Sequence, residues 1–226
     1  QNPTNWGKLL VVDSTEITLS NVTLGGARGA RGSSGTTSST AGIAGQDAIG
    51  ITLWGCTDCI ITGLHVADLQ AGQGGESGSY LGGGPGGRAL GVVLSGGTTG
   101  AQISDSTISS LQAGAPGAKT NPSAPPVPAH QVSYGFWIEA DSLDNTLSES
   151  VLVDGDPLLY RYGASGETIS GLSFNSPMNM TNWGEVVILK SEDITLESLS
   201  VKGARGPQGA SGYDFDKSYL PPPISG

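Results

Sequence analysis

The chain has 226 residues and a net charge of −10, with charged residues at only 13% and glycine at 37 positions. That glycine content excludes a helical fold throughout, because each glycine inside a helix costs about 1 kcal/mol. Ten dispersed basic residues argue against nucleic acid, whose phosphates need clustered Lys and Arg, and no run approaches the ~20 apolar residues of a membrane span.

A first unit opens at Thr4-Asn5-Trp6-Gly7, passes apolar beats at Ile17 and Val22, and ends in glycines 26, 29, 32 and 35. A second begins at Gly50-Ile51-Thr52-Leu53, with beats at Ile61 and Val66 and a glycine stretch from Gly72. A third runs from Gly91-Val92-Val93-Leu94 through Ile103 and Ile108 to Gly114 and Gly117. The fourth starts at Gly135-Phe136-Trp137-Ile138 and has beats at Leu147 and Leu152. Only the short Gly163/Gly166 pair follows it. The fifth, Thr181-Asn182-Trp183-Gly184 onward, copies the first at an offset of 177 (181 − 4). It carries the copy through Ile194-Thr195-Leu196 and Leu199 to Gly203, Gly206, Gly209 and Gly212.

Within each unit the second beat follows the first by five residues, and a hydroxyl residue follows the first beat: Thr18, Thr62, Ser104, Ser148 and Thr195. Alternation of apolar and polar is strand periodicity, with one face buried and one wet. Short strands of this kind cannot bury a face alone and must stack on the next unit. The pattern Gly-Ile-x-Leu followed by Ile-x-x-x-x-Val resembles the right-handed parallel β-helix (pectin-lyase-like) repeat proteins of the secreted or surface structural and adhesin type. The resemblance covers nearly the whole chain. It implies an all-β, right-handed parallel β-helix solenoid of about five coils with long glycine-rich loops on one side. It does not select an activity, because lyases, hydrolases, adhesins and phage spikes share the fold. The expectation is one domain over residues 1–226, with coils starting near 7, 50, 91, 135 and 184. The loops fall at about 25–47, 72–88, 114–131 and 203–226.

Glycine recurs every third residue in those loops, with Gly163/Gly166 as a shortened instance. Composition alone allows a flexible linker. The period of three points instead to polyproline-II-like segments whose bare glycine faces, Gly26, Gly29 and Gly32 in the first loop and Gly203, Gly206 and Gly209 in the last, pack closely.

Cys56-Thr57-Asp58-Cys59 lies in a turn between two strands, where a local disulfide is expected over free thiols, redox chemistry or a metal. His65 is expected to face outward, and neither it nor His130 has a nucleophile at a recognisable spacing. Asp154 and Asp156, with Arg161 nearby, form the densest acidic spot and a weak candidate for Ca2+, which needs several more oxygen ligands. No other metal or cofactor is expected. The carboxylate and arginine series of polygalacturonases and pectate lyases are missing, so no catalytic residue is assigned.

The copied first and last units turn attention to the ends, since open sheet edges must be capped or joined. Trp6, Trp183, Tyr219 and Leu220 are the residues expected to serve self-association. The expected function is an extracellular or cell-surface structural or adhesive protein that stacks end to end as a homo-oligomer or fibre. The alternative is a carbohydrate-active enzyme or a glycan-binding module.

Overall fold

The computed structural model describes residues 7–35, 41–77, 82–118, 132–175 and 179–202. The described chain is all-β, without helices, and its strands pair in parallel in several sheets.

The strands come in tiers of three. Tier one is β1 (Leu9–Val12), β2 (Thr18–Ser20) and β3 (Thr23–Gly25). Tier two is β4 (Ala48–Trp54), β5 (Ile60–Thr62) and β6 (His65–Gln70), and tier three is β7 (Ala89–Ser95), β8 (Gln102–Ser104) and β9 (Thr107–Gln112). Tier four is β10 (Tyr134–Ile138), β11 (Thr146–Leu147) and β12 (Leu152–Val153), from which β13 (Asp156–Pro157) doubles back antiparallel. Tier five is β14 (Leu159–Tyr162), β15 (Thr168–Ser170) and β16 (Ser173–Phe174). After β17 (Asn179–Thr181), tier six is β18 (Val186–Leu189), β19 (Thr195–Glu197) and β20 (Ser200–Val201).

First strands pair with first strands, second with second and third with third, so tiers one to four make three parallel ladders. Tiers five and six make three two-stranded ladders of their own. The corners between strands take left-handed backbone, which suits glycine, asparagine and aspartate. Asn21, Gly63 and Asp105 hold that conformation at one corner of three successive tiers, with φ between 50° and 69°. Inward residues form continuous columns. Leu19, Ile61, Ile103 and Leu147 make one, and Leu24, Val66, Ile108 and Val153 another. Ile51, Leu53, Val66, Val92, Leu94, Ile108 and Phe136 are fully buried.

Three expectations need correction. The first concerns register. Ile61 pairs with Leu19, not Ile17, so the second and third strands of tiers one to three stack at an offset of 42, and the first strands at 42 and then 41. A slip of two residues keeps the same face inward and leaves the hydrophobic pattern unchanged. The second concerns the spacing. In tier four the stacked pair is Leu147 and Val153, six residues apart instead of five. The third concerns the number of units and the Gly163/Gly166 pair. Tier five was unforeseen, and these two glycines form its first corner, with φ of 65° and 68°. Tier six therefore pairs with tier five, Ile169 beside Leu196, at an offset of 27.

Candidate functional site

Between tiers one and four the chain leaves the strands in limbs that run out and return, and their amides form a hydrogen-bonded block. The outgoing limb after β3 donates from Gly29, Gly32 and Gly35 to the carbonyls of Gln70, Gln73 and Glu76, each at 2.8 Å. The limb after β6 donates in two directions. Gly72 and Gly75 reach Gln46 and Ile43 at 2.8 Å, while Gly74 reaches Ala115 at 2.9 Å. It also accepts from Gly84 and Gly87, at Gly75 and Gly72, both at 2.8 Å. Gly114 and Gly117 in turn donate to Gly87 and Gly84 at 2.9 and 2.8 Å.

The three-residue glycine period follows from this geometry. A Cβ on Gly72, Gly75, Gly114 or Gly117 would lie 1.9 Å from the carbonyl oxygen of Ala30, Ser33, Gly72 or Gly75 respectively. Gly29 and Gly32 are equally confined, at 2.1 and 2.0 Å from Gln46 and Ile43 oxygens. Gly26 is not a packing glycine. It occupies a corner with φ of 65° and nothing near its missing Cβ. Gly203, Gly206 and Gly209 lie outside the described residues, as do Trp6, Tyr219 and Leu220.

Where the sequence leads to an expected disulfide, the structure has Cys56 and Cys59 as free thiols. Both point into the core between tiers, at 0% and 1% exposure, where they act as small apolar fillers. Each Sγ is also directed at carbonyls. Cys56 faces Val11 oxygen at 3.5 Å, and Cys59 faces Ser14 and Thr57 oxygens at 3.9 and 3.8 Å. Burial, followed by the neighbouring Cys59, pushes the Cys56 thiol up to about 11.

The Asp154 carboxylate accepts the Ser110 amide at 3.4 Å, and the Asp156 carboxylate accepts the Asn175 amide. Among the described residues no three His, Cys, Asp or Glu side chains gather as a metal site. His65 is exposed, with Nδ1 2.6 Å from the Thr107 hydroxyl.

Trp183 follows β17, which pairs in parallel with β10 of tier four as far as Phe136. Its indole N–H donates to the Ile138 carbonyl at 2.8 Å, and the Asn182 amide accepts the Ile138 N–H at 2.7 Å and donates to the same carbonyl at 3.0 Å. Two side chains thus complete the β10 edge at Ile138, beyond the reach of β17. Trp183 remains 47% exposed. Asn145 does the same inside the stack. It accepts the Ala101 amide at 2.8 Å and donates to the Thr98 and Ser142 carbonyls at 3.0 and 2.8 Å.

Between tiers four and five opens a cleft of about 500 Å3, lined by Leu147, Ser148, Tyr160 and Tyr162 among others. Arg161 bridges Glu149 and Glu167, the latter at 2.8 Å, and its side chain is 19% exposed. Sequence reasoning passed over Glu149 and Glu167, because neither belongs to a motif and only the unforeseen tier five brings them to Arg161.

The outer edges of tiers one and six have no strand partner among the described residues. Ile17, Leu19, Val22 and Leu24 in tier one, and Ile194 and Leu199 in tier six, are inward but only partly buried. Leu196 and Val201 are 46% and 50% exposed.

Compared with protein-family models, with curated proteins and with solved structures, the chain matches none.

Proposed function

We propose that the chain is an extracellular or cell-surface structural or adhesive module: a right-handed parallel β-helix, braced on one side by a polyglycine-II-like block, that associates end to end. Parallel ladders at offsets of 42 and 27 support the solenoid. The right-handed sense follows from the strong preference of parallel crossovers. Amides of Gly72, Gly75, Gly84 and Gly87, taken every third residue and aimed at neighbouring limbs, support a threefold polyglycine conformation.

The observation that carries the reading is the glycine block. Its limbs occupy much of residues 27–118, and they build a backbone lattice with few side chains available to recognise a substrate. Such a lattice makes the module stiff and leaves its two ends as the apolar surfaces to be covered. Negative-stain electron microscopy with light scattering tests this: rods or fibres lengthening with protein concentration are expected, and a compact monomer at every concentration sinks it.

A second reading, a carbohydrate-active or glycan-binding protein, draws on the Arg161 cleft, where two carboxylates and two tyrosines surround one guanidinium. Release of oligosaccharide from a polysaccharide panel, lost in Glu149→Gln and Glu167→Gln, would favour it over the structural role.

A further inference from the structure

We infer that the upper edge of tier six binds the lower edge of tier one in a second copy of this chain, with residue i of tier one beside residue i + 177 of tier six. This rests on the end-to-end reading and gives it a specific partner and register.

The two tiers share one backbone shape. Shifting β1 (Leu9–Val12) and β2 (Thr18–Ser20) by 177 lands on β18 (Val186–Leu189) and β19 (Thr195–Glu197). The left-handed corners coincide too: Asp13 and Lys190 at φ 44° and 48°, Glu16 and Asp193 at 56° and 53°, Asn21 and Ser198 at 54° and 52°.

Their hydrogen-bonding groups are complementary. Upward, tier one donates from Asp13, Glu16 and Asn21 and accepts at Ser14, Ile17 and Val22. Downward, tier six donates from Glu192, Thr195 and Ser200 and accepts at Leu189, Glu192 and Glu197. The equivalents of these two sets are what the open edges offer. Tier six presents the amides of Lys190, Asp193 and Ser198 and the carbonyls of Ser191, Ile194 and Leu199. Tier one presents the amides of Thr15, Thr18 and Thr23 and the carbonyls of Val12, Thr15 and Ser20. In the 177 register every one of these groups meets a partner: Lys190 with Val12, Asp193 with Thr15, Ser198 with Ser20, and the three tier-one amides with Ser191, Ile194 and Leu199.

Side chains fit the same alignment. Ile17 stacks on Ile194, Leu19 on Leu196, Val22 on Leu199 and Leu24 on Val201, which covers the inward residues that both ends leave partly exposed. At the corners Asp13 comes beside Lys190, a favourable pair, and Glu16 beside Asp193, an unfavourable one. The like-charge corner and the net charge of −10 make association salt-dependent, rising as salt screens the repulsion.

The Glu16/Asp193 corner supplies the test, because both residues are exposed and Lys190 already shows that lysine takes this backbone conformation. Sedimentation of the purified chain at low salt reads the association constant. Glu16→Lys and Asp193→Lys should each raise it roughly threefold to tenfold, the worth of turning an exposed repulsive pair into an attractive one. Together they should return it to near the starting value, because two lysines then face each other. Additive gains would overturn the register. A second arm uses Thr18→Cys with Thr195→Cys, exposed neighbours across the proposed contact, at a spacing a disulfide spans. Oxidation by diamide should give ladders of cross-linked chains, whereas either variant alone should stay uncross-linked. Dimers from Thr18→Cys alone would show a tier-one to tier-one contact and overturn the pairing while leaving end-to-end association intact. A chain that stays monomeric at all concentrations and salts sinks both.

Discussion

Glycine does two different jobs in the two halves of this molecule. In tiers one to three the second and third strands stack at an offset of 42 residues, and glycine in the limbs is confined by carbonyl oxygens of adjacent limbs. In tiers five and six the offset is 27. There Gly163, Gly166 and Gly171 stand at corners with positive φ and nothing within 4 Å of the missing Cβ. A tier therefore needs no more than 27 residues, and the additional 15 (42 − 27) belong to the limbs. The lower half uses glycine both to turn corners and to exclude side chains from a contact, whereas the described glycines of tiers five and six only turn the backbone.

The largest expected effect breaks that contrast directly. Gly75→Ala puts a methyl group 1.9 Å from the Ser33 carbonyl oxygen, in a lattice where backbone faces backbone. The limbs must separate, at a cost above ~3 kcal/mol, beyond ordinary core overpacking. Gly171→Ala strains only its own corner, at φ 71°, for about 1 kcal/mol. Thermal unfolding should rank the two variants in that order, and limited proteolysis should cut residues 72–88 in Gly75→Ala alone. Equal shifts in Tm would mean that the limbs contribute nothing beyond their length.

Next in size is the pair of amides standing in for strands. Asn145 is buried and makes three hydrogen bonds to the backbone of tiers three and four. Asn145→Ala leaves the Ala101 amide and Thr98 carbonyl without those partners in a dry site, for about 2–3 kcal/mol. Asn182, itself partly exposed at the boundary between the halves, should cost about 1 kcal/mol when replaced, since Trp183 still donates to the Ile138 carbonyl. Denaturant titration of both alanine variants separates the two environments.

What could be read in advance follows the same division. The limbs were legible, because a glycine every third residue leaves a periodic trace wherever Cβ atoms are forbidden. The stacking was legible from apolar beats, but its register was not: pairing Ile61 with Ile17 or with Leu19 buries the same face. Tier five escaped notice because Leu159-Tyr160-Arg161-Tyr162 lacks the glycine-led apolar opening of the other units. Its five-residue beat, Ile169 to Phe174, was nevertheless present. Nothing in the sequence marked Asn145 as a backbone substitute, or Arg161 as the bridge between Glu149 and Glu167, since both roles depend on where the ladder is interrupted.

A smaller, pH-dependent effect belongs to the boundary between halves. Burial holds the Glu185 carboxyl above its ordinary range, partly offset by the Met180 amide it accepts. The folded state thus binds this proton more tightly than the unfolded chain. Its contribution favours the fold at acid pH and is lost as pH rises from the ordinary glutamate value through the raised one. Glu185→Gln should flatten that part of the stability profile and gain roughly 0.5–1 kcal/mol at neutral pH, measured by denaturant titration between pH 4 and 8. An unchanged slope would place the pH dependence elsewhere.

The smallest effect on stability, and the most local probe, comes from the thiols. Cys56 and Cys59 lie against tier one, their thiols facing the Val11 and Ser14 carbonyls, and the upper half holds no cysteine. With Cys56 at about 11 instead of the ordinary 9.0, its thiolate fraction at pH 8 is roughly a hundredfold lower than that of a free thiol. Reaction of Cys56 with a disulfide reagent in the closed structure should be slower by about that factor, so labelling runs through an opened state in which the thiol is exposed. The rate then reports how often tier one lifts from tier two, which local opening at an edge permits well before global unfolding. Tier one is an open edge, so labelling should outpace the unfolding of tiers three and four followed by hydrogen exchange, and it should slow at protein concentrations where chains associate. Stoichiometric labelling within seconds would show that tier one is not docked in solution. An intact mass two daltons short of the reduced chain would show instead that the pair is oxidised.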